Sequence, residues 1–222
     1  YVVDHFVYDQ AEADKLNAMN DGRGFQPWGE LHPGDVVYKD LNQDGKIDDY
    51  GDRTHMGFPR TPEIQFGIPF GIQYKGFDVS VMFQGSLNSS ILLNGAAVWD
   101  FPSYEQDQYG KVKHRWTEAT KDVATYPRLT YGAYENNKNG NSSLFLYNAN
   151  YIRLKNLEVG YSLPKNIIRF AGLQNVRFYV QGLNLLTFDS LDDVDMDPET
   201  KEGSGDWYPI QRVYNFGVEI TY

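Results

Sequence analysis

The ten residues from Val213 to Tyr222 alternate strictly between two kinds of side chain. The apolar and aromatic parity consists of Tyr214, Phe216, Val218, Ile220 and Tyr222, and the opposite parity is mostly polar. Because successive side chains of a β-strand point to opposite faces, this strand has one apolar face and one polar face. A soluble sheet can have this pattern. The wall of a membrane β-barrel requires it, since its outer face meets lipid and its inner face meets water.

Four other segments show the same alternation, and they are residues 63–74, 77–84, 151–161 and 174–186. The third keeps a single apolar face only with a bulge near Lys155 and Asn156. Pro69 removes a hydrogen-bond donor from the first, which predicts a bulge or a local break there. Tyr1 to Tyr8 alternates poorly and is the candidate for a further strand. The sequence therefore predicts an all-β, antiparallel sheet of about six strands.

The connections between these segments alternate between short and long. Lys75-Gly76 fits a two-residue turn, and residues 162–173 form a short connection with one helical turn predicted after Pro164. Residues 9–62, 86–150 and 187–209 are longer, polar and rich in Gly, Asn and Asp. Short periplasmic turns and long extracellular loops are typical of outer-membrane barrels, whose smallest members have 8 strands. Because open sheet edges are not viable in lipid, a barrel would need further strands, expected N-terminal to Tyr1.

Composition argues against several other classes of protein. No stretch approaches the roughly 20 apolar residues of a membrane-spanning helix. The chain has no Cys, which excludes thiolate metal sites and disulfide scaffolds, and its net charge of −10 argues against nucleic-acid binding. No catalytic motif is present, so we do not expect an enzyme. The aromatic content is typical of the girdles that mark the two water interfaces of a barrel. Tyr214, Phe216 and Tyr222 are predicted to form a membrane girdle and a C-terminal insertion signal.

The segment DLNQDGKID, residues 40–48, fits the first half of a calcium-binding loop. Oxygen-bearing side chains stand at positions 1, 3 and 5, and Gly45 stands at position 6, where the loop turns sharply. Position 12 is Gly51 where an EF-hand has Glu, so later carboxylates would complete the metal shell. The predicted ligands of a structural Ca²⁺ ion are Asp40, Asn42, Asp44, Lys46 through its carbonyl, Asp48 and Asp52. An Asp/Asn/Gly turn without metal is the alternative.

Two other features of the long connections have less specific interpretations. The acidic run at residues 190–197 is read as solvated charge, with a weak cation site or a sugar-contacting patch as the alternatives. Aromatic side chains in the longest connection can stack on sugar rings, pack against a partner or pack within the loop. These aromatic residues are Trp99, Phe101, Tyr104, Tyr109 and Trp116.

Several short motifs, in a characteristic order, carry a resemblance to a known family. They are PGDVVYKDLNQDGKIDD at 33–49, RTHMG at 53–57, NYIRLKNL at 150–157, GYSLP at 160–164, QGLNLL at 181–186 and YPIQRVY at 208–214. With these motifs, residues 1–222 resemble the C-terminal part of a SusC/RagA-type TonB-dependent transporter. The resemblance implies a 22-strand barrel in the outer membrane of a Gram-negative bacterium, whose N-terminal plug is absent from this chain. It also implies a SusD-like lipoprotein partner, energy from the TonB complex, and import of oligosaccharides or peptides.

A second interpretation follows from the residues alone. A secreted, calcium-stabilised β-sandwich that binds glycans would account for the calcium-like loop and the loop aromatics. It would not account for the many aromatic residues on the apolar parity. A soluble monomer in buffer would favour the sandwich over the barrel.

Overall fold

The computed structural model describes residues 1–95, 98–101, 110–191, 194, 196–200, 203, 208 and 210–222. The main element is an antiparallel sheet of five strands in the order β3-β4-β7-β8-β9. These strands are β3 (Ile64–Tyr74), β4 (Phe77–Leu87), β7 (Tyr151–Ser162), β8 (Asn175–Asp189) and β9 (Val213–Thr221). Two smaller sheets pair β1 (Val3–Phe6) with β2 (Val36–Tyr38), and β5 (Ser90–Leu92) with β6 (Leu146–Asn148).

The helices of the described residues are short. They are α1 (Gln10–Asn17), α2 (Met19–Gly22), α3 (Glu135–Lys138) and α4 (Lys165–Ile168), with 3₁₀ turns at Gly110–His114, Ser143–Phe145 and Arg169–Ala171. α1 begins at Asp9, whose carboxylate accepts a hydrogen bond from the backbone N–H of Glu12. α2 is a turn, because its two central residues have positive φ. None of the described helices is long and apolar enough to cross a membrane.

Apolar residues form continuous rows on one face of the large sheet, which we call the outer face. Paired positions place Ile72, Val79, Val159, Val180 and Phe216 in one such row. The next row towards the turns consists of Tyr74, Phe77, Tyr161, Phe178 and Val218. Many of these side chains are strongly exposed, with Phe216 at 79% and Tyr74 at 66%. No second sheet covers this face among the described residues, so the structure is not the predicted alternative, a β-sandwich.

The predicted strands, turn and bulge are confirmed. The turn at Lys75 and Gly76 has φ values of 48° and 87°, as a two-residue hairpin turn requires. The register of β7 shifts against β8 between Leu154 and Asn156, where the sequence predicted a bulge. The bulge restores one apolar face along the whole strand.

Two local predictions are wrong. Residues 1–8 do not add a strand to the large sheet, which has five strands rather than about six. β1 pairs with β2 instead, because Tyr1 and Val7 are buried in a separate core and fix the segment there. Pro69 does not break β3, which runs without interruption and pairs Pro69 with Met82. β3 has one neighbour among the described strands, β4, and a proline whose nitrogen points away from β4 removes no hydrogen bond from that pairing.

The long connections pack together at one end of the sheet into what we call the loop cap, residues 1–62, 88–95, 98–101 and 110–149. One apolar core gathers Val7, Ala13, Leu31, Val36 and Tyr38, and a second includes Ile91, Leu93, Val112, Tyr126 and Phe145. A polar core joins the two halves of the cap at Asp35, which is fully buried. The Asp35 carboxylate accepts hydrogen bonds from Arg128, Tyr134 and Asn137. The connections are therefore a folded unit rather than extended loops.

Candidate functional site

The outer face has the dimensions of a membrane wall. Aromatic residues form a row at the turn end, through Tyr74, Phe77, Tyr161 and Phe178, and another at the loop end, through Phe66 and Phe188. Phe188 lies ten residues after Phe178 in β8, which is about 33 Å along the strand. At the usual barrel tilt of roughly 40°, this separation spans about 25 Å, the height of the apolar band of outer-membrane barrels.

The residues predicted for the girdle lie on this same face. Tyr214, Phe216 and Tyr222 are exposed to 63%, 79% and 90%. Tyr214 and Phe216 lie in the interior rows of the band, above the turn-end aromatic row, and Tyr222 follows β9 beyond that row. Their assignment to the girdle, and that of the strand to an insertion signal, remain predictions.

The opposite, inner face carries an ion-pair cluster near the turn end. Arg177 donates from Nε to Asp78 at 3.0 Å and from Nη2 to Glu158 at 2.6 Å, and its Nη2 also pairs with the second Asp78 oxygen. Gln181 donates to the other oxygen of Glu158 at 3.2 Å. Glu219 lies 4.0 Å from Arg177 Nη1. Four strands, β4, β7, β8 and β9, are therefore linked across a polar surface, as expected of a wall that faces water.

Two glycines allow large side chains to lie flat on this inner face. A Cβ at Gly160 would collide with the guanidinium of Arg177, and a Cβ at Gly217 would collide with the ring of Tyr179. The Arg177 guanidinium in turn lies over the Tyr179 ring, 5.2 Å from its centroid. Since the side chains lie along the wall, they project little into the space in front of it.

We expect Gly160→Val to push Arg177 away from the wall and to break its contacts with Asp78 and Glu158. The overpacking should lower the free energy of unfolding by about 1–3 kcal/mol. Urea unfolding of the full-length protein in detergent measures this change. Gly71→Val is the matched control on the same face, because a Cβ at Gly71 meets only an ordinary contact at 3.6 Å. Equal losses in the two variants would contradict the proposed packing.

Nearer the loop end, Arg153 anchors the connection between β8 and β9 to the inner face. Its side chain is 1% exposed and donates to Glu199 and Asp197, both at 2.7 Å, and to Thr187 at 2.9 Å. Glu199 also accepts hydrogen bonds from Tyr151 at 2.6 Å and from Gln84 at 2.9 Å. Sequence reasoning placed Arg153 in a family motif but assigned it no role. Its acidic partners lie more than 40 residues away, and nothing in the sequence indicates that pairing.

A cavity of about 380 Å³ opens beside this cluster. Its lining includes the amides of Gln65 and Gln84, the hydroxyls of Ser86 and Tyr151, and the carboxylate of Glu199. Such groups can exchange hydrogen bonds with a polar solute. Asp197, from the acidic run at 190–197, is an ion-pair partner of Arg153 rather than solvated charge. Asp192, Asp193 and Asp195 of that run lie outside the described residues.

The loop aromatics are only partly described. Phe101 stacks on Tyr131 with ring centroids 4.7 Å apart, and Trp99 packs against the second apolar core. Trp116 lies against Gly34, where it leaves no room for a side chain. Tyr104 and Tyr109 lie outside the described residues. For the described aromatics, packing within the loop cap accounts for what we observe.

In the first half of the predicted calcium loop, two side chains accept a hydrogen bond from the same backbone N–H group. Asp40 and Asn42 each accept a hydrogen bond from the N–H of Asp44 at 3.2 Å, and Asp40 also accepts one from Gly45 at 2.7 Å. Asp44 accepts a hydrogen bond from the N–H of Lys46 at 3.2 Å. The three oxygen-bearing side chains therefore lie close together.

The second half of the predicted ligand set is engaged differently. Asp52 is fully buried, and its two oxygens accept the backbone N–H groups of Leu41 and Asp48. The Lys46 ammonium, 2.7 Å from Asp48, together with the N–H groups of Gly51 and Tyr50, lowers the pKa of Asp48 to about 2. No group of three or more His, Cys, Asp or Glu side chains arranged to hold a metal occurs in the described ranges. Calcium binding therefore remains a prediction, and its best-formed donors are Asp40, Asn42 and Asp44.

Comparison with known proteins agrees with this geometry. No family model matches the chain. TonB-dependent receptor P3 of Formosa agariphila is 34% identical over 211 residues, which cover 87% of this chain and 20% of the receptor. TonB-dependent receptor P26 of the same organism is 26% identical over 201 residues, which cover 85% of this chain and 20% of that receptor. The chain thus spans about a fifth of the length of the curated relatives it matches.

Solved structures give the same result for the fold. The RagAB peptide transporter superposes with a TM-score of 0.66 at 23% identity, over 85% of this chain and 21% of that chain. The open-open state of the RagAB peptide importer superposes with a TM-score of 0.64, also at 23% identity and with the same coverage. A sheet with an uncovered apolar band and a polar inner face is thus a segment of an outer-membrane barrel wall. The chain belongs to the TonB-dependent receptors.

Proposed function

We propose that this chain forms part of the barrel wall and the external loop cap of a longer transporter in the outer membrane. The transporter would import oligosaccharides or peptides with energy from the TonB complex, in partnership with a SusD-like lipoprotein. The observation that carries the proposal is the two-faced sheet. Its outer face is an apolar band of membrane height between two aromatic rows, and its inner face is an ion-paired polar surface. The relatives named as TonB-dependent receptors support the energy source.

The polar inner wall supports a hydrophilic solute as the substrate. The cavity beside Arg153 presents amide, hydroxyl and carboxylate groups, which suit both oligosaccharides and peptides. The loop cap supports a protein partner at the outer surface, since it is a folded unit that a lid lipoprotein could dock against. The substrate class and the partner are inferred from these features together with the family.

Deletion of the gene that encodes the full-length receptor tests this function. We expect the deletion strain to lose uptake of either a fluorescent oligosaccharide or a fluorescent peptide mixture, and a protonophore to abolish that uptake in the parent strain. Affinity purification of the receptor from outer membranes should recover a lipid-modified partner. Unchanged uptake of both mixtures, or fractionation of the receptor away from the outer membrane, would contradict the proposal.

A structural calcium ion in the loop cap is part of this proposal. Asp40, Asn42 and Asp44 would supply side-chain oxygens and Lys46 its carbonyl, while the amide contacts of Asp52 hold the loop closed. The ion would stiffen the loop near the outer surface. Roles of Asp48 and Asp52 as direct ligands would require them to exchange their present hydrogen bonds for the metal.

We expect Ca²⁺ to raise the melting temperature of the purified receptor and EDTA to reverse the effect. At a free concentration of about 100 times Kd, one site contributes about 2.7 kcal/mol. The double variant Asp40→Asn/Asp44→Asn should lose the response, because it removes two anionic oxygen ligands. Asp122→Asn, a single charge change on an exposed residue outside the loop, is the control. A calcium response of equal size in the double variant would exclude this loop as the site.

A further inference from the structure

The turn end of the large sheet differs in charge from the rest of the chain. Its two connections carry Lys75, Lys165 and Arg169, all exposed and all without a carboxylate partner among the described residues. Residues 162–174 contain no Asp or Glu, although the whole chain has a net charge of −10. The turns are therefore a basic region on an acidic protein.

The side-chain carboxylates nearest this end belong to the inner face. Asp78 and Glu158 are paired with Arg177, and Glu219 lies 4.0 Å from the same guanidinium. They are therefore turned away from the lipid-facing side and are already engaged. These side chains therefore do not neutralise the cations of the turns.

The longer connection packs against the outer face of β8. Val176 pairs with Ile220 in the same row, yet Val176 is 7% exposed and Ile220 is 56% exposed. α4 contacts β8, and its Ile168 is 4% exposed. The helical turn therefore covers the base of β8 on the lipid-facing side. Its remaining apolar side chains, Ile167 and Phe170, are 50% and 89% exposed.

We propose that these residues form a binding surface for acidic phospholipid headgroups. The surface, which we call the turn-end rim, consists of Lys75, Lys165, Ile167, Arg169 and Phe170. Cations beside exposed aromatic and aliphatic side chains are the combination that places a segment at the level of lipid phosphates, with the apolar groups in the acyl region.

A lipid is the fitting occupant because the rim continues directly from the apolar band and complements a negative headgroup. The inference rests on the proposed function only in requiring that the sheet is a membrane wall. In the membrane, the cations would fix the depth of the wall against the leaflet that the turns meet.

Binding of spin-labelled phosphatidylglycerol and phosphatidylcholine to the purified full-length receptor tests the rim. We expect the wild type to prefer phosphatidylglycerol. Each lost cation should weaken that binding about fivefold, so Lys165→Gln/Arg169→Gln should weaken it about 25-fold and leave phosphatidylcholine unchanged. Phe170→Ser should weaken both lipids. Lys39→Gln/Lys113→Gln, which removes two exposed cations from the loop cap, should change neither.

Three results would overturn the rim. They are equal affinity of the wild type for both lipids, equal loss in the rim and control variants, and competition by inorganic phosphate as strong as that by the lipid. Uptake is measured separately on the same variants. Loss of lipid preference with a receptor that still assembles supports the rim whatever the uptake assay shows. A wild-type receptor that prefers phosphatidylglycerol but imports nothing would contradict the proposed function and leave the rim standing.

Discussion

Tyr214→Arg is expected to destabilise the membrane-inserted receptor by about 2–4 kcal/mol. Tyr214 is 63% exposed on the outer face, in a row midway between the two aromatic rows. An arginine there would meet the centre of the bilayer, where outer-membrane barrels lose about this much stability. Urea unfolding of the full-length receptor in lipid vesicles measures the loss, and the yield of assembled protein in the outer membrane gives a second reading.

The neighbouring position supplies the matched control. Asn215 is also exposed, but its side chain lies on the inner face, where its amide donates to Gln181 at 3.1 Å. Asn215→Arg should change the free energy of unfolding by no more than about 0.5 kcal/mol, as surface substitutions usually do. Equal costs at the two positions, or a larger cost at Asn215, would mean that the faces have been assigned wrongly.

Asp35→Ala is expected to unfold the loop cap at a cost of about 3 kcal/mol. Asp35 is fully buried, and its removal would leave Arg128, Tyr134 and Asn137 without their shared acceptor. Removing one partner of a buried ion pair leaves an uncompensated charge, which typically costs 3–5 kcal/mol. Arg128 is partly exposed, so the lower end of that range applies. Limited proteolysis of the receptor in membranes should show new cleavage within residues 1–62 and 110–149.

The new cleavage should result from the loss of a buried carboxylate, and it should occur only in the loop cap. Asp14→Ala, on the exposed side of α1, removes the same charge and should leave the cleavage pattern unchanged. Asp35→Asn keeps an acceptor oxygen but loses the charge, so its effect should be intermediate. Cleavage in the strands of the large sheet, or none in the cap, would contradict the assignment of Asp35 as the link between the two halves.

The large sheet could be predicted because membrane and water impose opposite demands on alternate residues. Every strand that faces lipid must keep the period of two, so even the bulge near Lys155 was visible as a change of parity. Residues 1–8 were wrongly predicted to extend this sheet, because an apolar segment that forms a strand does not show in its own sequence which strand it pairs with. The predicted break at Pro69 was wrong because a proline disrupts a strand only where its missing N–H would have bonded to a neighbouring strand. The sequence does not show which way that position faces.

The inner site and the loop cap could not be predicted, because their contacts join polar residues far apart in the chain. Asp35 and Arg128 are 93 residues apart, and Arg153 and Glu199 are 46 residues apart. Neither pair belongs to a periodic pattern. A single arginine or aspartate side chain is normally exposed to solvent, so sequence alone gives no reason to expect burial. The calcium motif was predictable in its first half, where the spacing is local, and less so at Asp48 and Asp52.

Cysteine labelling tests the central claim most directly, since the chain has no Cys of its own. Single cysteines would replace Val180 and Gln181 in β8, and Val218 and Glu219 in β9, in an otherwise cysteine-free full-length receptor in lipid vesicles. We expect a water-soluble maleimide to label positions 181 and 219. Fluorophores placed at positions 180 and 218 should be quenched by a lipid-soluble quencher. Equal aqueous labelling at all four positions, or the reversed pattern, would contradict the account of this sheet as a barrel wall.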